Sequence, residues 1–169
     1  MFTRIVVIVC LLGSITFIDN CRAQIDDDRS EKPLPSSYLH SLLKNQTGDK
    51  TTFRDSSGRT QGTAVQSGNR ISIRDSSGRT IGSAQTSGNK TTFRDASGRT
   101  IQTATRNGDR TTFRSSNGSS LGTASQSRSN TTFRDASGRS TGSSSSHGTR
   151  TNFRDGSGRS SGSASSRGR

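Results

Sequence analysis

The chain repeats itself every twenty residues, and this period constrains its fold more than any other feature. Five full repeats and a slightly short sixth begin at Thr51. The stretch "TTFRDASGRT" at 91–100 shows the repeat at its most complete. Because a unit of this size cannot bury an apolar face alone, the units must pack on one another as a repeat architecture.

Each repeat predicts two short strands and two turns. In "TTFRD", β-branched and aromatic residues alternate with a period of two, as in a strand. The second strand, such as "RTIGSA" at 79–84, has a small-residue face that can receive a ring from a neighbouring strand. Recurrent Gly and β-branched residues argue against a helix. The column predicted to form the core is Phe53, Ile73, Phe93, Phe113, Phe133 and Phe153.

A type I turn is predicted between the two strands. Its first position holds Asp, whose carboxylate accepts hydrogen bonds from the next backbone amides, and its fourth holds a left-handed Gly. In the fourth repeat Ser115 and Ser119 replace the Asp and the following Arg together, which suggests that these two residues pair across the turn. The predicted turn residues are Asp55, Gly58, Asp75, Gly78, Asp95, Gly98, Gly118, Asp135, Gly138, Asp155 and Gly158.

Composition limits how such repeats can pack. Apolar residues make up 23% of the chain, and the formal net charge is +13. This combination is typical of disorder and argues against a conventional globular core. We therefore predict an all-β fold over residues 51–169, in which six β-hairpin repeats form an elongated solenoid or hairpin meander of marginal stability. Disorder with folding on binding is the alternative.

The first 23 residues have the anatomy of a secretory signal peptide. A short basic start precedes an apolar run from Ile5 to Phe17, and a small-x-small pattern ends at Ala23. That run is too short to span a bilayer comfortably, so an uncleaved anchor is the minority interpretation. Cleavage would also remove Cys10 and Cys21. We therefore expect a secreted mature protein without thiols.

Between this segment and the repeats lie an acidic linker at 24–35 and a predicted short helix at 36–46. The helix is expected to cap the first repeat, and docking a partner is its alternative role. Residues 24–49 carry 3 basic and 5 acidic residues, a net charge of 3 − 5 = −2. From Lys50 onward, 20 Lys and Arg oppose 6 Asp, giving 20 − 6 = +14. A basic body of this kind favours an anionic partner.

An Arg follows the core column in every repeat. It could stack on a neighbouring aromatic ring or make a cross-strand contact. Alternatively, the guanidinium groups form an outward row that binds phosphate or carboxylate groups. The candidate anion-binding residues are Arg54, Arg74, Arg94, Arg114, Arg134 and Arg154.

No catalytic, metal or cofactor site is predicted. His40 and His147 have no ligand partner at suitable spacing, and "GSSLG" at 118–122 belongs to the repeat. One Asp per repeat, each beside an Arg, suits calcium poorly. Four glycosylation triplets, at Asn45, Asn89, Asn117 and Asn130, matter only in a eukaryotic source.

The motif aromatic-x-Asp-x-x-Gly-Arg after Gly-Asn-x-Thr, as in "GNKTTFRDASGRT" at 88–100, resembles the YD (Rhs-type) repeats of bacterial secreted and surface proteins. The resemblance covers about 51–169, as a short six-unit array with Arg in place of the second aromatic. It implies β-hairpins that wind into a shell. It also implies an inward Phe93, a turn at Asp95 and Gly98, and a strand that opens at Arg99.

The predicted function is non-enzymatic binding of an extended polyanion or anionic surface, such as acidic polysaccharide or lipopolysaccharide, through the Arg rows. Nucleic acid is a less favoured partner, because few aromatic residues are present to stack on bases. A structural adhesin, matrix or fibre-forming module, self-associating through sheet edges, is the alternative. Ice binding through rows of Thr, such as Thr52, Thr92, Thr112 and Thr132, ranks lower.

Overall fold

A computed structural model describes residues 50–167, which form a closed barrel of twelve antiparallel strands. Each repeat contributes one hairpin, and strands that follow one another in sequence are neighbours in the sheet. The strands are β1 (Lys50–Arg54), β2 (Thr60–Ser67), β3 (Arg70–Asp75), β4 (Thr80–Ser87), β5 (Lys90–Asp95), β6 (Thr100–Asn107), β7 (Arg110–Ser115), β8 (Ser120–Ser127), β9 (Asn130–Arg134), β10 (Ser140–His147), β11 (Arg150–Asp155) and β12 (Ser160–Arg167).

The all-β class and the repeated hairpins are confirmed, but the elongated solenoid and the open meander are wrong. Strand β1 pairs with β12, with Lys50 opposite Arg167 and Phe53 opposite Ala164. This pairing closes the sheet and satisfies the two edges that an open array would leave exposed. The proposed signal peptide at 1–23, linker at 24–35 and capping helix at 36–46 lie outside the described residues.

Closure gives the hairpins one shared core. The six residues of the predicted core column are all between 0% and 6% exposed. Each lies opposite a small residue, as Phe93 lies opposite Ala84 on β4 and Phe113 opposite Ala104 on β6. The expectation that composition argues against a globular core was therefore wrong. One phenylalanine or isoleucine of this column per twenty residues, with the alanines, Ile71 and Ile101, suffices because every inward face lines the same interior.

A second buried layer lies nearer to the end of the barrel that holds Lys50 and Arg167, the first and last described residues. It consists of Thr51, Ile71, Thr91, Thr111, Thr131 and Thr151. Two of these threonines hydrogen-bond to a hydroxyl on the preceding strand, Thr91 to Thr86 at 3.0 Å and Thr151 to Ser146 at 2.9 Å. Cross-strand hydroxyl pairs thus let polar side chains occupy inward positions.

A third inward layer is made mostly of glycine, because the strands approach closely beside a bulge. The strand register shifts between the core residue and the following Arg, for example between Phe113 and Arg114. A Cβ atom built on Gly122 would lie 2.1 Å from the carbonyl oxygen of Arg134, and the φ of Gly122 is 135°. Only glycine fits such a position without moving the backbone.

Gln102 interrupts the glycine layer. It is fully buried and lies opposite Ser115, whereas Gly82 lies opposite Asp95. The larger inward residue thus lies opposite the smaller turn residue. Nearby, Ile101 is buried and Leu121 packs against the core. Two neighbouring hairpins therefore depart from the repeat together, the fourth in its turn and the third in the strand that faces that turn.

The barrel has two chemically different ends. We call the end formed by the turns at 55–59, 75–79, 95–99, 115–119, 135–139 and 155–159 the aspartate rim. The other end, formed by the turns at 67–70, 87–90, 107–110, 127–130 and 147–150, is called the terminal rim. Lys50 and Arg167, the first and last described residues, both lie at the terminal rim.

Candidate anion-binding surfaces

The six predicted anion-binding arginines form a ring on the outer wall near the aspartate rim, which we call the arginine belt. All six are exposed. In each, the guanidinium Nη1 donates a hydrogen bond of 2.8 to 3.0 Å to the carbonyl oxygen of the turn glycine four residues later. Each arginine therefore holds its own turn and keeps further N–H groups directed to solvent.

The aspartate turns are held by a repeated set of hydrogen bonds. The Asp95 Oδ1 accepts from the Ser97 amide at 2.9 Å, the Ser97 hydroxyl at 2.7 Å and the Arg99 amide at 2.9 Å. The Gly98 amide donates to the Asp95 carbonyl at 3.1 Å. The same three bonds to the carboxylate occur at Asp55, Asp75, Asp135 and Asp155.

These hydrogen bonds favour the ionised carboxylate. The Ser97 hydroxyl has the largest effect and lowers the pKa of Asp95 below its usual value of 3.8, against an opposing effect of desolvation. The backbone amides of Arg99 and Ser97 and the charge of Arg99 lower it further. The other four turn aspartates have lowered pKa values for the same leading reason.

The fourth turn exchanges donor and acceptor. The Ser115 hydroxyl donates to the Asn117 Oδ1, which also accepts from the Ser119 amide at 3.1 Å. Asn117 thus supplies the acceptor that Asp supplies elsewhere. In the standard turn, Asp95 and Arg99 meet through the Arg99 backbone amide, and no side-chain ion pair joins them in the described part of the chain. The joint replacement by Ser115 and Ser119 therefore does not require a lost ion pair.

A second set of cations follows the aspartate turns directly. These arginines are exposed and alternate with the turn carboxylates around the aspartate rim. They are Arg59, Arg79, Arg99, Arg139 and Arg159. With the six arginines of the belt and the five carboxylates, this end of the barrel has a net charge of 11 − 5 = +6.

Sequence reasoning missed the cations of the terminal rim. Lys50, Arg70, Lys90, Arg110 and Arg150 each begin a strand, share the outward alternation of the arginine belt and are exposed. Their signal was present in the sequence as another column with a period of twenty. Together with Arg106, Arg128, Arg167 and the single Asp109, they give this rim a net charge of 8 − 1 = +7.

A band of hydroxyl groups separates the two cation rings. It includes Thr52 opposite Thr63, and Thr92 opposite Thr103. Four residues of extended strand separate Lys50 from Arg54, so the rings lie about 13 Å apart along the wall. The Thr rows considered for ice binding therefore lie on a curved wall between two positive rings.

A metal site and a membrane-spanning helix each place requirements on residues 50–167. No group of three or more His, Cys, Asp or Glu side chains there could hold a metal ion. His147 lies in the terminal rim. Over the same range, no helix has the length and apolarity needed to cross a membrane.

Comparisons with known proteins show similarity in fold alone. No protein-family model matches the chain, and no curated protein sequence matches it either. The X-ray structure of a protein from Arabidopsis thaliana is similar, with a TM-score of 0.52 and 12% sequence identity. The match covers 73% of this chain and 83% of the Arabidopsis chain. It supports a shared fold and carries no statement about partners.

Proposed function

We propose that this protein is a secreted, non-enzymatic binder of an extended anionic partner, such as acidic polysaccharide, lipopolysaccharide or an anionic surface. One observation carries the proposal. Exposed cations surround the barrel at both ends, and residues 50–167 have a net charge of 19 − 6 = +13. The six carboxylates of this range offset only part of the positive charge, and the excess gives the barrel a positive field.

The repeat suits a partner that carries many charges. Equivalent outward residues on neighbouring hairpins are two strand spacings apart, or about 10 Å. An extended polyanion can therefore contact several cations at once, and individually weak contacts add by multivalency. Lys and Arg side chains are suited to sulfate, phosphate and carboxylate groups, and Arg can bind them in bidentate fashion.

The structural alternative loses support in the described region. Self-association through sheet edges requires unpaired strands, and the pairing of β1 with β12 leaves no free edge in residues 50–167. The proposal therefore assigns the repeated hairpins to building a scaffold that presents cations.

Isothermal titration calorimetry of the purified protein with heparin, at 50 and 300 mM NaCl, tests the proposal. Binding through several cations should weaken by about tenfold or more over this range, because bound counterions are released from the polyanion. Binding that does not change with salt, or no binding at low salt, would contradict the proposal. Dextran of similar length is the uncharged control and should not bind.

Circular dichroism during the same titration tests whether the barrel forms before binding. A β spectrum without heparin is expected, because the twelve strands close on one another and bury one core. A coil spectrum that becomes β on titration would instead indicate folding coupled to binding.

A further inference from the structure

Arg128 has an unusual backbone conformation for a residue with a side chain. Its φ is 51°, and it is the one non-glycine residue with positive φ in the described region. The equivalent turn position in the other hairpins holds Gly68, Gly88, Gly108 and Gly148, with φ between 56° and 58°. A side chain at this angle is disfavoured, because its Cβ crowds the following carbonyl group. The chain thus places an Arg where glycine would be more stable.

The same turn lacks a cation that the other hairpins carry. Asn130 begins β9, whereas Arg or Lys begins every other strand of that column. Arg128, two residues earlier, returns a positive charge to this hairpin. This turn therefore differs from the others at two positions. Asn130 removes the positive charge found at the start of the other strands of that column, and Arg128 restores a positive charge where the other turns have glycine. The terminal rim thus keeps at least one cation at each of its five turns and another at Lys50, where β1 meets β12.

The terminal-rim cations are also less occupied than those of the arginine belt. Two rim arginines are bonded, Arg106 to the Gly108 carbonyl at 3.0 Å and Arg150 to the Asn152 Oδ1 at 3.2 Å. In the described region, no side-chain hydrogen bond is made by the other five cations of the turns and strand starts, which are Lys50, Arg70, Lys90, Arg110 and Arg128. In contrast, every belt arginine donates to a turn carbonyl. The five cations are therefore available to an anion without breaking an existing bond.

The backbone fixes where these cations lie. Adjacent hairpins of the terminal rim are joined by hydrogen bonds, such as the Gln126 amide to the Asp109 carbonyl at 2.8 Å and the Ser146 amide to the Ser129 carbonyl at 2.9 Å. The turns thus form a continuous ring, and the long side chains extend from fixed points. A cation at each point gives a regular array for a repeating anion.

We propose that the terminal rim is the docking surface for a sulfated or carboxylated polysaccharide, and that Arg128 keeps its strained backbone to supply the cation its hairpin lacks. This inference rests on the proposed function and assigns it to one end of the barrel. The turns of the terminal rim, at 67–70, 87–90, 107–110, 127–130 and 147–150, contain no aromatic ring other than His147 and no aliphatic residue larger than glycine. They offer little to insert into a membrane or to stack on bases, which favours a polysaccharide.

The test compares Arg128→Gly with the unmodified protein, in thermal unfolding and in heparin titration at 50 mM NaCl. The variant should unfold at a higher temperature, by about 3–5 °C, because the strain is relieved. Its affinity for heparin should fall about three- to fivefold, because one cation contact is lost. A stabilised variant with unchanged affinity would overturn the inference, and so would a variant with unchanged or lower stability.

Two further variants separate strain from charge. The double variant Arg128→Gly with Asn130→Arg places the cation at the position used by the other hairpins, so it should keep the higher unfolding temperature and regain the lost affinity. Arg134→Gln removes a belt arginine from the same hairpin and should change affinity by less than about twofold. Heparin binding that is lost in Arg134→Gln but kept in Arg128→Gly would overturn this inference and leave the proposed function intact.

The source of the anion is tested with vesicles. Phosphatidylglycerol vesicles should bind more weakly than heparin at equal charge concentration, because the turns of the rim have no apolar side chain to insert and Val65, opposite Lys50, is a single apolar residue beside them. Tighter binding to vesicles than to heparin would overturn the assignment to polysaccharide. If neither ligand binds the unmodified protein, the proposed function itself fails.

Discussion

The two rims of the barrel carry similar net charge, but their charged groups differ in how many hydrogen bonds they make within the protein. At the aspartate rim, the turn carboxylates each accept at least three hydrogen bonds, and the belt arginines donate to turn carbonyls. At the terminal rim, most cations extend from tight turns without side-chain partners. The comparison shows that net charge alone does not identify a binding surface, because part of it builds the turns. The cations that the fold does not use are the better candidates.

The largest predicted effect compares the stability of two alanine variants, one at an inward glycine beneath the aspartate rim and one at a turn glycine of the terminal rim. Gly122→Ala should destabilise the barrel by about 3 kcal/mol or more, because its Cβ would overlap the Arg134 carbonyl and its φ of 135° disfavours a side chain. Gly88→Ala at the terminal rim should cost about 1 kcal/mol, because φ is 56° but no atom lies within 4 Å of the added Cβ. Urea unfolding measures both, and equal losses would show that close strand approach is not required beneath the aspartate rim.

Acid should weaken the aspartate rim selectively. The pKa values of the five turn aspartates are lowered from 3.8, so their stabilising effect is complete above pH 3.8 and is lost as the pH falls through the lowered values. The unfolding temperature, followed from pH 6 to pH 2.5, should therefore fall most steeply below pH 3.8. A constant unfolding temperature down to pH 3 would contradict the assigned role of the carboxylates.

The fourth repeat supplies a control for this acid effect. Asp95→Ser combined with Ser97→Asn copies the turn at Ser115 and Asn117, which has no titrating acceptor. This variant should fold, and its unfolding temperature should depend less on pH than that of the unmodified protein. The single variant Asp95→Ser lacks the new acceptor and should be less stable than the double variant at pH 6.

Replacing Gln102, which lies in the core beneath the aspartate rim, should increase the stability of the barrel. Its side-chain amide is fully buried, and its nitrogen and oxygen have no hydrogen-bond partner among residues 50–167. Gln102→Met keeps a similar volume and removes the unpaired polar atoms, so it should stabilise the barrel by about 1–2 kcal/mol in urea unfolding. A loss of stability in Gln102→Met would show that the amide is satisfied in solution.

The smallest predicted effect distinguishes the belt from the terminal rim by stability alone. Arg94→Ala removes the bond from Nη1 to the Gly98 carbonyl and should cost about 0.5–1 kcal/mol. Lys90→Ala removes an exposed cation without a side-chain partner and should change stability by less than about 0.5 kcal/mol. Equal losses of unfolding free energy in the two variants would contradict the conclusion that the belt arginines stabilise their turns and that rim cations such as Lys90 do not.

Several local features followed from the sequence because each depends on residues close together in the chain. The strand at 91–95 and the turn that follows it contain the β-branched, aromatic, Asp and Gly residues that such elements require. The burial of Phe93 and the carboxylate-capped turn at Asp95 agree with that local pattern. The Asp95–Arg99 pair was anticipated, but the contact is made by a backbone amide, which a sequence column does not distinguish from a side-chain contact.

Sequence analysis did not identify the cations of the terminal rim as candidate binding residues, because their availability depends on the folded turns. A repeated cation at Lys90 or Arg110 is as visible in the sequence as one at Arg94, but sequence alone does not show which carbonyls each can reach. Belt arginines lie four residues before the turn glycine whose carbonyl they bind, whereas Lys50, Lys90 and Arg110 have no such acceptor in the described region. Among the other rim cations, Arg106 does bind a turn carbonyl, that of Gly108, at 3.0 Å. Which cations remain available is therefore a property of the folded turns.

The sequence by itself determined the period, the hairpin unit, the inward column and the excess of positive charge, because each is set within about twenty residues. Only the tertiary structure decided that the sixth hairpin returns to the first. The pairing of β1 with β12 depends on the summed twist and register of all twelve strands, which no single repeat contains. That closure converts rows of cations into rings and lets one phenylalanine or isoleucine per repeat contribute to a common core.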